Sequence, residues 1–177
     1  MKREWMHEKQ CEVQRVRQQY GFHFDASRCV QCHACEIACK TLHNGEWGIK
    51  WRRVVSLWRG QFPSVTNRGV SLSCMHCGNP PCVAVCPRGA IEKRLEDGIV
   101  IVDPEKCFGC HLCFMVCPFG APQYGSDGKM QKCDLCVDLV TRGEEPACVA
   151  TCPAEALRFG TLNELSDEIA WKCAQKP

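Results

Sequence analysis

The chain has 177 residues, of which 22 are Lys or Arg and 20 are Asp or Glu, so its formal net charge is only +2. Such a balance lacks the basic field that nucleic-acid binding requires, and no apolar run reaches the eighteen or so residues of a membrane span. We therefore expect neither a nucleic-acid partner nor a transmembrane segment. The anomaly is the 18 cysteines, about a tenth of the chain, a density typical of disulfide scaffolds or metal proteins.

The first twenty residues, MKREWMHEKQCEVQRVRQQY, are charged throughout and offer no apolar stretch for a signal peptide. We therefore expect a cytoplasmic chain, in which thiols stay reduced and dense cysteines serve as metal ligands and not as disulfides. Residues 1–19 are predicted to form a helical N-terminal extension. Cys11 has no cysteine at ligand spacing and is predicted to be a small buried structural residue.

The segments that flank the remaining cysteines predict short strands separated by turns. The alternating sequence YGFHF predicts a strand over residues 20–24. Residues 45–70 are predicted as a strand-rich excursion, in which the Trp and Arg side chains of 51–59 either pack internally or dock a partner. A further strand is predicted over residues 99–102, where the following Asp-Pro pair ends it.

A C-terminal helix is predicted over residues 161–177. Thr161 and Glu164 match a capping box, in which the two side chains satisfy backbone amides at a helix N-terminus. Apolar residues follow at helical spacing. Cys173 lies in this helix with no cysteine at ligand spacing, so it is also predicted to be structural and buried.

Sixteen of the cysteines fall into four groups of four, which form an internal repeat. Motifs one and three are spaced C-x-x-C-x-x-C-x-x-x-C, motif two carries two extra residues, and motif four opens its middle gap to eleven residues. Pro follows the last cysteine of motifs two, three and four. In chain order the motifs are Cys29, Cys32, Cys35, Cys39; Cys74, Cys77, Cys82, Cys86; Cys107, Cys110, Cys113, Cys117; and Cys133, Cys136, Cys148, Cys152.

The spacing of these cysteines is typical of cubane 4Fe-4S clusters. Three cysteines at every third position wrap one corner of a cubane, and in two-cluster ferredoxins the last cysteine of the run, followed by Pro, ligates the other cluster. The motifs therefore work in pairs, and four motifs predict four clusters. Motifs two and three lie closest to this pattern, with twenty residues between them, so we pair these two, which leaves motif one to pair with motif four.

This pairing predicts the ligands of each cluster, which we name sites I to IV. Every site takes three cysteines from one motif and its fourth cysteine from the partner motif. The exchange of one cysteine in each direction links the two motifs of a pair. Site I is Cys29, Cys32, Cys35 and Cys152; site II is Cys133, Cys136, Cys148 and Cys39; site III is Cys74, Cys77, Cys82 and Cys117; site IV is Cys107, Cys110, Cys113 and Cys86.

The predicted architecture is an α+β fold of two nested ferredoxin-like modules, each with two 4Fe-4S clusters, built from short strands, loops and peripheral helices. The inner module spans residues 71–119 and holds motifs two and three. The outer module combines residues 20–44 with 120–160 and holds motifs one and four. The apolar residues other than cysteine make only a modest core, so bound metal is expected to contribute to the folding free energy.

Two alternatives use the same cysteines. Structural zinc also takes C-x-x-C pairs, but it needs neither the third cysteine nor the closing Cys-Pro. The C-x-x-C-H signature of attached haem ends at His33 and at His111, but that attachment needs export, which the N-terminus does not indicate. We therefore interpret His33, His76 and His111 as loop residues near the clusters and not as ligands.

The sequence resembles the four-cluster ferredoxin-type subunits of molybdopterin oxidoreductases, closest to the iron-sulfur subunit of dimethyl sulfoxide reductase. Some members replace the second cysteine of motif three and hold a 3Fe-4S centre, whereas Cys110 is present here, so the resemblance implies four 4Fe-4S clusters. The likeness covers about residues 20 to 165. It rests on YGFHFDASRCVQCHACEIACK, SCMHCGNPPCVAVCPRGAIEKR, DGIVIVDPEKCFGCHLCFMVCPFGAPQY, and GKMQKCDLC followed by PACVATCPAEALRFG.

The resemblance implies electron transfer in anaerobic metabolism, between a catalytic subunit with a molybdenum or tungsten pterin and either a membrane quinone-linked subunit or a soluble carrier. The short tail after motif four and the charged extension depart from the family, which counts against a membrane-anchored reductase and leaves room for a soluble complex, for instance with a tungsten enzyme of the aldehyde-oxidoreductase type. Similar polyferredoxin subunits serve nickel-iron hydrogenases and carbon monoxide dehydrogenases, which are alternatives. The sequence has no nucleophile–base pair, phosphate loop or dinucleotide fingerprint, so we expect a relay and not an enzyme by itself.

Overall fold

Pairs of short strands, joined by loops that carry the cysteines, form the framework of the chain. The computed structural model describes residues 16–175. The helices and strands of this range are short, so loops make up much of it. In chain order they are β1 (Tyr20–Phe24), α1 (Ala34–Leu42), β2 (Arg53–Arg59), β3 (Thr66–Leu72), α2 (Pro81–Val85), β4 (Ile91–Lys93), β5 (Val100–Val102), α3 (Leu112–Val116), β6 (Gln123–Tyr124), β7 (Met130–Gln131), α4 (Val137–Thr141), α5 (Ala147–Ala150), β8 (Leu157–Thr161) and α6 (Leu162–Ala174).

Most of the elements predicted from the sequence are present. Strand β1 coincides with the strand predicted over 20–24, and β5 begins one residue later than predicted. The strand-rich excursion contains the antiparallel hairpin of β2 and β3. The helix predicted over 1–19 does not extend over residues 16–19, which are not helical, and the rest of that prediction lies outside the described residues, as does Cys11.

The pairing of β1 with β8 connects the two ends of the cysteine repeat. The strands are antiparallel, with Tyr20 opposite Thr161 and Phe24 opposite Leu157. The ring of Tyr20 also stacks on Phe159 at a centroid distance of 5.1 Å. Strand β1 leads into motif one, β8 follows motif four, and α1 packs against α5. The first and last motifs therefore lie side by side.

The middle two motifs meet in the same way. Strands β4 and β5 are antiparallel, with Ile91 opposite Val102, and they lie between motif two and motif three. Helix α2 ends motif two, helix α3 ends motif three, and the two helices pack against each other. This arrangement repeats the strand pair and helix pair that join motifs one and four.

The apolar core of the described residues is small, and cysteines occupy much of it. One cluster of buried side chains joins Cys35 and Cys148 to Val149 and Leu157. A second contains Cys113 with aliphatic residues of β4 and β5. A third includes cysteines of motifs two and four. Cysteine side chains therefore fill core positions that aliphatic side chains occupy in an ordinary domain.

Helix α6 begins with the predicted capping box. Thr161 Oγ1 accepts a hydrogen bond from the backbone N–H of Glu164 at 3.3 Å, and Glu164 Oε2 accepts one from the backbone N–H of Thr161 at 2.9 Å. These bonds satisfy amide groups that the first helical turn leaves unpaired. Within residues 16–175, no helix is long and apolar enough to cross a membrane.

Replacing Thr161 with Ala removes the hydroxyl of this cap, and we expect the free energy of unfolding to fall by about 1 kcal/mol. Thr161→Ser keeps the hydroxyl and is the matched control, expected to unfold close to wild type. Denaturant unfolding under anaerobic conditions, followed by far-ultraviolet circular dichroism, measures the difference. Equal stability of the Ala variant and wild type would show that the cap contributes nothing.

Candidate metal centres

Three cavities of near-equal size are each lined by four cysteines. Together with the open space in front of them, they span about 340 Å³ at site I, about 390 Å³ at site III and about 360 Å³ at site IV. In each cavity three cysteines come from one motif and one cysteine comes from another. The linings contain Cys29, Cys32, Cys35 and Cys152; Cys74, Cys77, Cys82 and Cys117; and Cys107, Cys110, Cys113 and Cys86.

The remaining four motif cysteines form a buried group at site II. Each is exposed by 6% or less, and they are Cys39, Cys133, Cys136 and Cys148. Burial, together with the neighbouring sulfur atoms of the other three, raises the pKa of the Cys39 thiol far above its usual range. The structure therefore places four motif cysteines around each of three cavities and brings the other four close together in the interior.

The cysteines of residues 16–175 are all free thiols. Burial raises the pKa of Cys133 to about 12 and that of Cys82 to about 11. Thiolates in such surroundings need a compensating cation, so metal and negative sulfur have to enter these sites together. Four sulfur donors around one small cavity suit an iron-sulfur cluster, and they also suit zinc.

The loop of every motif contains a left-handed residue directly before its second cysteine. These residues are Gln31, His76, Gly109 and Leu135, with φ of 56°, 44°, 73° and 63°. Positive φ is uncommon outside glycine, so its recurrence at the same position of all four motifs indicates a shared requirement. A residue in this conformation turns successive backbone amides to one side, and the N–H of Leu135 donates to Cys133 Sγ at 3.4 Å.

A second repeat, which the cysteine spacing did not predict, provides a hydrogen bond to the sulfur of the last cysteine in three motifs. The backbone N–H four residues after that cysteine donates to its sulfur, from Ala90 at 3.3 Å, from Ala121 at 3.5 Å and from Ala156 at 3.3 Å. These alanines are buried, and a larger side chain would crowd the sulfur. The sequence does carry this signal, as Cys-Pro-x-x-Ala in motifs two, three and four.

Side chains add one contact to a sulfur atom at three of the sites. Tyr124 Oη lies 3.3 Å from Cys113 Sγ, and Ser71 Oγ lies 3.8 Å from Cys35 Sγ. At site II, His43 Nε2 lies 3.5 Å from Cys136 Sγ. Hydrogen bonds to ligand sulfur are one of the means by which a protein sets the potential of a bound cluster.

The three histidines predicted as loop residues do lie in the motif loops. His33 and His111 precede helices α1 and α3 in left-handed conformations. His76 is buried, and its Nδ1 accepts the backbone N–H of Val100 at 3.0 Å. Burial and the nearby cations, among them Lys132, lower the pKa of His76 well below its usual range, so this ring is neutral.

Two cations buried among the sites were not identified from the sequence. Arg52 is 2% exposed and Lys132 is 3% exposed. The ammonium group of Lys132 donates to the backbone carbonyls of Val100 and Cys133, and its side chain borders the cavity of site III. Their burial depends on tertiary contacts. The spacing of the basic residues in the sequence therefore does not distinguish these two from the others.

Two sequence predictions concerning surface features are revised. Cys173 is exposed on α6, so the prediction of a small buried residue is wrong there. The Trp and Arg residues of 51–59 divide between the two interpretations. Trp51 packs on His43 at 4.4 Å and its Nε1 donates to Gln131 Oε1 at 2.9 Å, whereas Trp58 is 68% exposed.

Comparison with known families agrees with the sulfur chemistry. A 4Fe-4S dicluster domain model matches residues 66–162, and a 4Fe-4S binding domain model matches residues 26–42. The chain belongs to the 4Fe-4S dicluster family. This ferredoxin is an electron-transfer protein that carries 4Fe-4S clusters.

Its curated relatives are named as chains or subunits of several reductases and dehydrogenases. The B subunit of the anaerobic dimethyl sulfoxide reductase of Escherichia coli (strain K12) is 46% identical over 156 residues, which covers 83% of this ferredoxin and 76% of that protein. YnfG of the same strain, a probable anaerobic dimethyl sulfoxide reductase subunit, is 43% identical over 168 residues, covering 90% and 82%. The formate dehydrogenase iron-sulfur subunit of Wolinella succinogenes is 38% identical over 168 residues, covering 82% of each.

Gly109 tests the loop geometry of this ferredoxin. A Cβ at this position would lie 2.5 Å from the carbonyl oxygen of Gly128, and the left-handed backbone adds about 1–2 kcal/mol of strain for any L-residue. We expect Gly109→Ala to lower the iron content by roughly a quarter, because one of four clusters is lost. Gly78→Ala is the control, since a Cβ there meets no atom within 4 Å. Iron per chain measures both, and full iron in the Gly109 variant would contradict the prediction.

Proposed function

We propose that this ferredoxin is the relay subunit of an oxidoreductase and that sites I to IV each hold one 4Fe-4S cluster. The observation that carries the proposal is the set of three near-equal cavities, each lined by four cysteines from two motifs. Bound clusters supply reversible one-electron chemistry. The chain supplies the cysteine ligands, the burial that keeps water from sulfur, and the amides and cations that surround it.

We further propose that the four sites are organised as two nested ferredoxin-like modules. The pairing of β1 with β8 and the packing of α1 on α5 support an outer module around motifs one and four. The pairing of β4 with β5 and the packing of α2 on α3 support an inner module around motifs two and three. The boundaries proposed from the sequence are 20–44 plus 120–160 for the outer module and 71–119 for the inner module.

The proposed partner is a large catalytic subunit with a molybdenum or tungsten pterin, joined to a further redox subunit, soluble carrier or membrane anchor. The family resemblance supports this class, and the relatives' names support assembly into a reductase or dehydrogenase. A cytoplasmic location is also proposed, since a reducing compartment keeps dense cysteines available as metal ligands.

Anaerobic purification of the native complex, followed by metal analysis, tests the proposal. We expect about sixteen iron per copy of this chain beyond the iron of the partner, since each of four clusters holds four. Molybdenum or tungsten in the co-purifying material supports the pterin partner. Nickel would instead assign the partner to the hydrogenases or carbon monoxide dehydrogenases. Zinc without iron would overturn the proposal.

Cys110→Ser tests the ligand assignment at a single site. Cys110 is exposed at site IV, and its replacement is expected to convert or remove one cluster, leave about three clusters intact and stop electron flow through the complex. Cys173→Ser is the matched control, because Cys173 is also an exposed cysteine but belongs to no site. Iron analysis with electron paramagnetic resonance (EPR) of the reduced protein measures both variants. An unchanged spectrum for Cys110→Ser would contradict the assignment.

A further inference from the structure

Arg52 is a buried cation between site I and site II. Its guanidinium lies over the ring of Phe22, with Cζ 4.3 Å from the ring centroid. Nη1 donates to Ser71 Oγ at 3.0 Å. Nε and Nη2 are buried and have no hydrogen-bond partner among the described residues. The side chain is therefore held by packing, while two of its donor groups are left unsatisfied.

A buried guanidinium with unsatisfied donors is costly unless negative charge lies nearby. The charged neighbours that act most strongly on Arg52 are cysteines, namely Cys148 and Cys133 of site II and Cys35 of site I. Phe22, whose ring lies under the guanidinium, packs against the buried cluster that contains Cys35 and Cys148. It also packs against the buried cluster that contains Cys133. Ligands of both sites are therefore the groups that can bring compensating negative charge close to this cation.

Ser71 gives Arg52 a defined connection to site I. Its hydroxyl oxygen lies 3.0 Å from Arg52 Nη1 and 3.8 Å from Cys35 Sγ. Ser71 is 7% exposed, so this contact is shielded from water. A hydroxyl that accepts from the guanidinium can point its own hydrogen toward the sulfur, which places one polarised contact between the cation and a ligand.

We propose that Arg52 is a positioning residue shared by sites I and II, where it raises the reduction potentials of both clusters together. The proposal rests on the ligand sets proposed above. A cubane held by four thiolates is negatively charged and becomes more so on reduction, so a fixed cation beside it favours the reduced form. Because Arg52 is shielded from solvent, its field is screened much less than that of a surface charge.

Three variants of the full chain separate this role from packing. Arg52→Gln removes the charge and keeps a polar side chain, whereas Arg52→Lys keeps the charge. Arg59→Gln is the matched control, because it removes the same charge from the exposed far end of β2. The ligand variants Cys32→Ser and Cys136→Ser identify the EPR signals that belong to site I and site II.

The measurement is an anaerobic redox titration followed by EPR, with iron analysis of each protein. We expect Arg52→Gln to lower the midpoint potentials of the site I and site II clusters and to leave those of sites III and IV unchanged. Arg52→Lys and Arg59→Gln are expected to titrate close to wild type. An unchanged titration of Arg52→Gln would overturn the proposal, as would an equal shift at all four sites or the same shift in Arg59→Gln.

A second variant decides the matter if Arg52→Gln fails to retain iron. Ser71→Ala leaves the charge in place and removes only the hydroxyl between Arg52 and Cys35. The proposal then requires a lowered potential confined to site I, and four unchanged potentials would overturn it. The iron content of wild type separates failure of the Arg52 proposal from failure of the proposed relay function. If wild type holds about sixteen iron and the potentials of the variants are unchanged, the role of Arg52 is rejected and the relay function stands.

Discussion

The constraint on which this structure depends is that sulfur must become negatively charged in places shielded from water. Burial raises the pKa of thiols such as Cys133, so these groups are stable as thiolates only when metal neutralises them. The described core is small and contains the cysteines themselves. Folding and metal binding are therefore one process here, because the groups that fill the interior are also the groups that bind the metal.

Short helices and strands are sufficient for such a chain, because they position the cysteine loops and do not have to bury large apolar surfaces. The strands occur only as two-stranded pairs within residues 16–175, and these pairs precede, follow or lie between the cysteine motifs. The left-handed residues in the motif loops, three of them not glycine, cost strain that an ordinary loop would avoid. That strain recurs at one position of each repeat, which ties it to the sulfur sites and not to local accidents of sequence.

Much of the site could be predicted because cysteine spacing is a direct record of cluster geometry. The four motifs, the strand at Tyr20–Phe24 and the capping box at Thr161 all follow from local patterns. The remainder depends on contacts between distant residues. Arg52 and Lys132 read as ordinary basic residues in the sequence, and only the packing of hairpin and loops makes them interior cations. Cys173 was predicted to be buried because free cysteines usually are, but it is exposed on the terminal helix α6.

The pairing of β1 with β8 has a consequence for the order in which the molecule is completed. In the proposed ligand sets, a ribosome that has just passed Cys117 has delivered every ligand of sites III and IV. Sites I and II both wait for motif four, since site I needs Cys152, and the strand that seals it ends at Thr161. The proposed ligands of sites III and IV are therefore complete earlier in synthesis than those of sites I and II. A chain terminated just after Cys117 would contain all eight of the former and only the four motif-one cysteines of the latter.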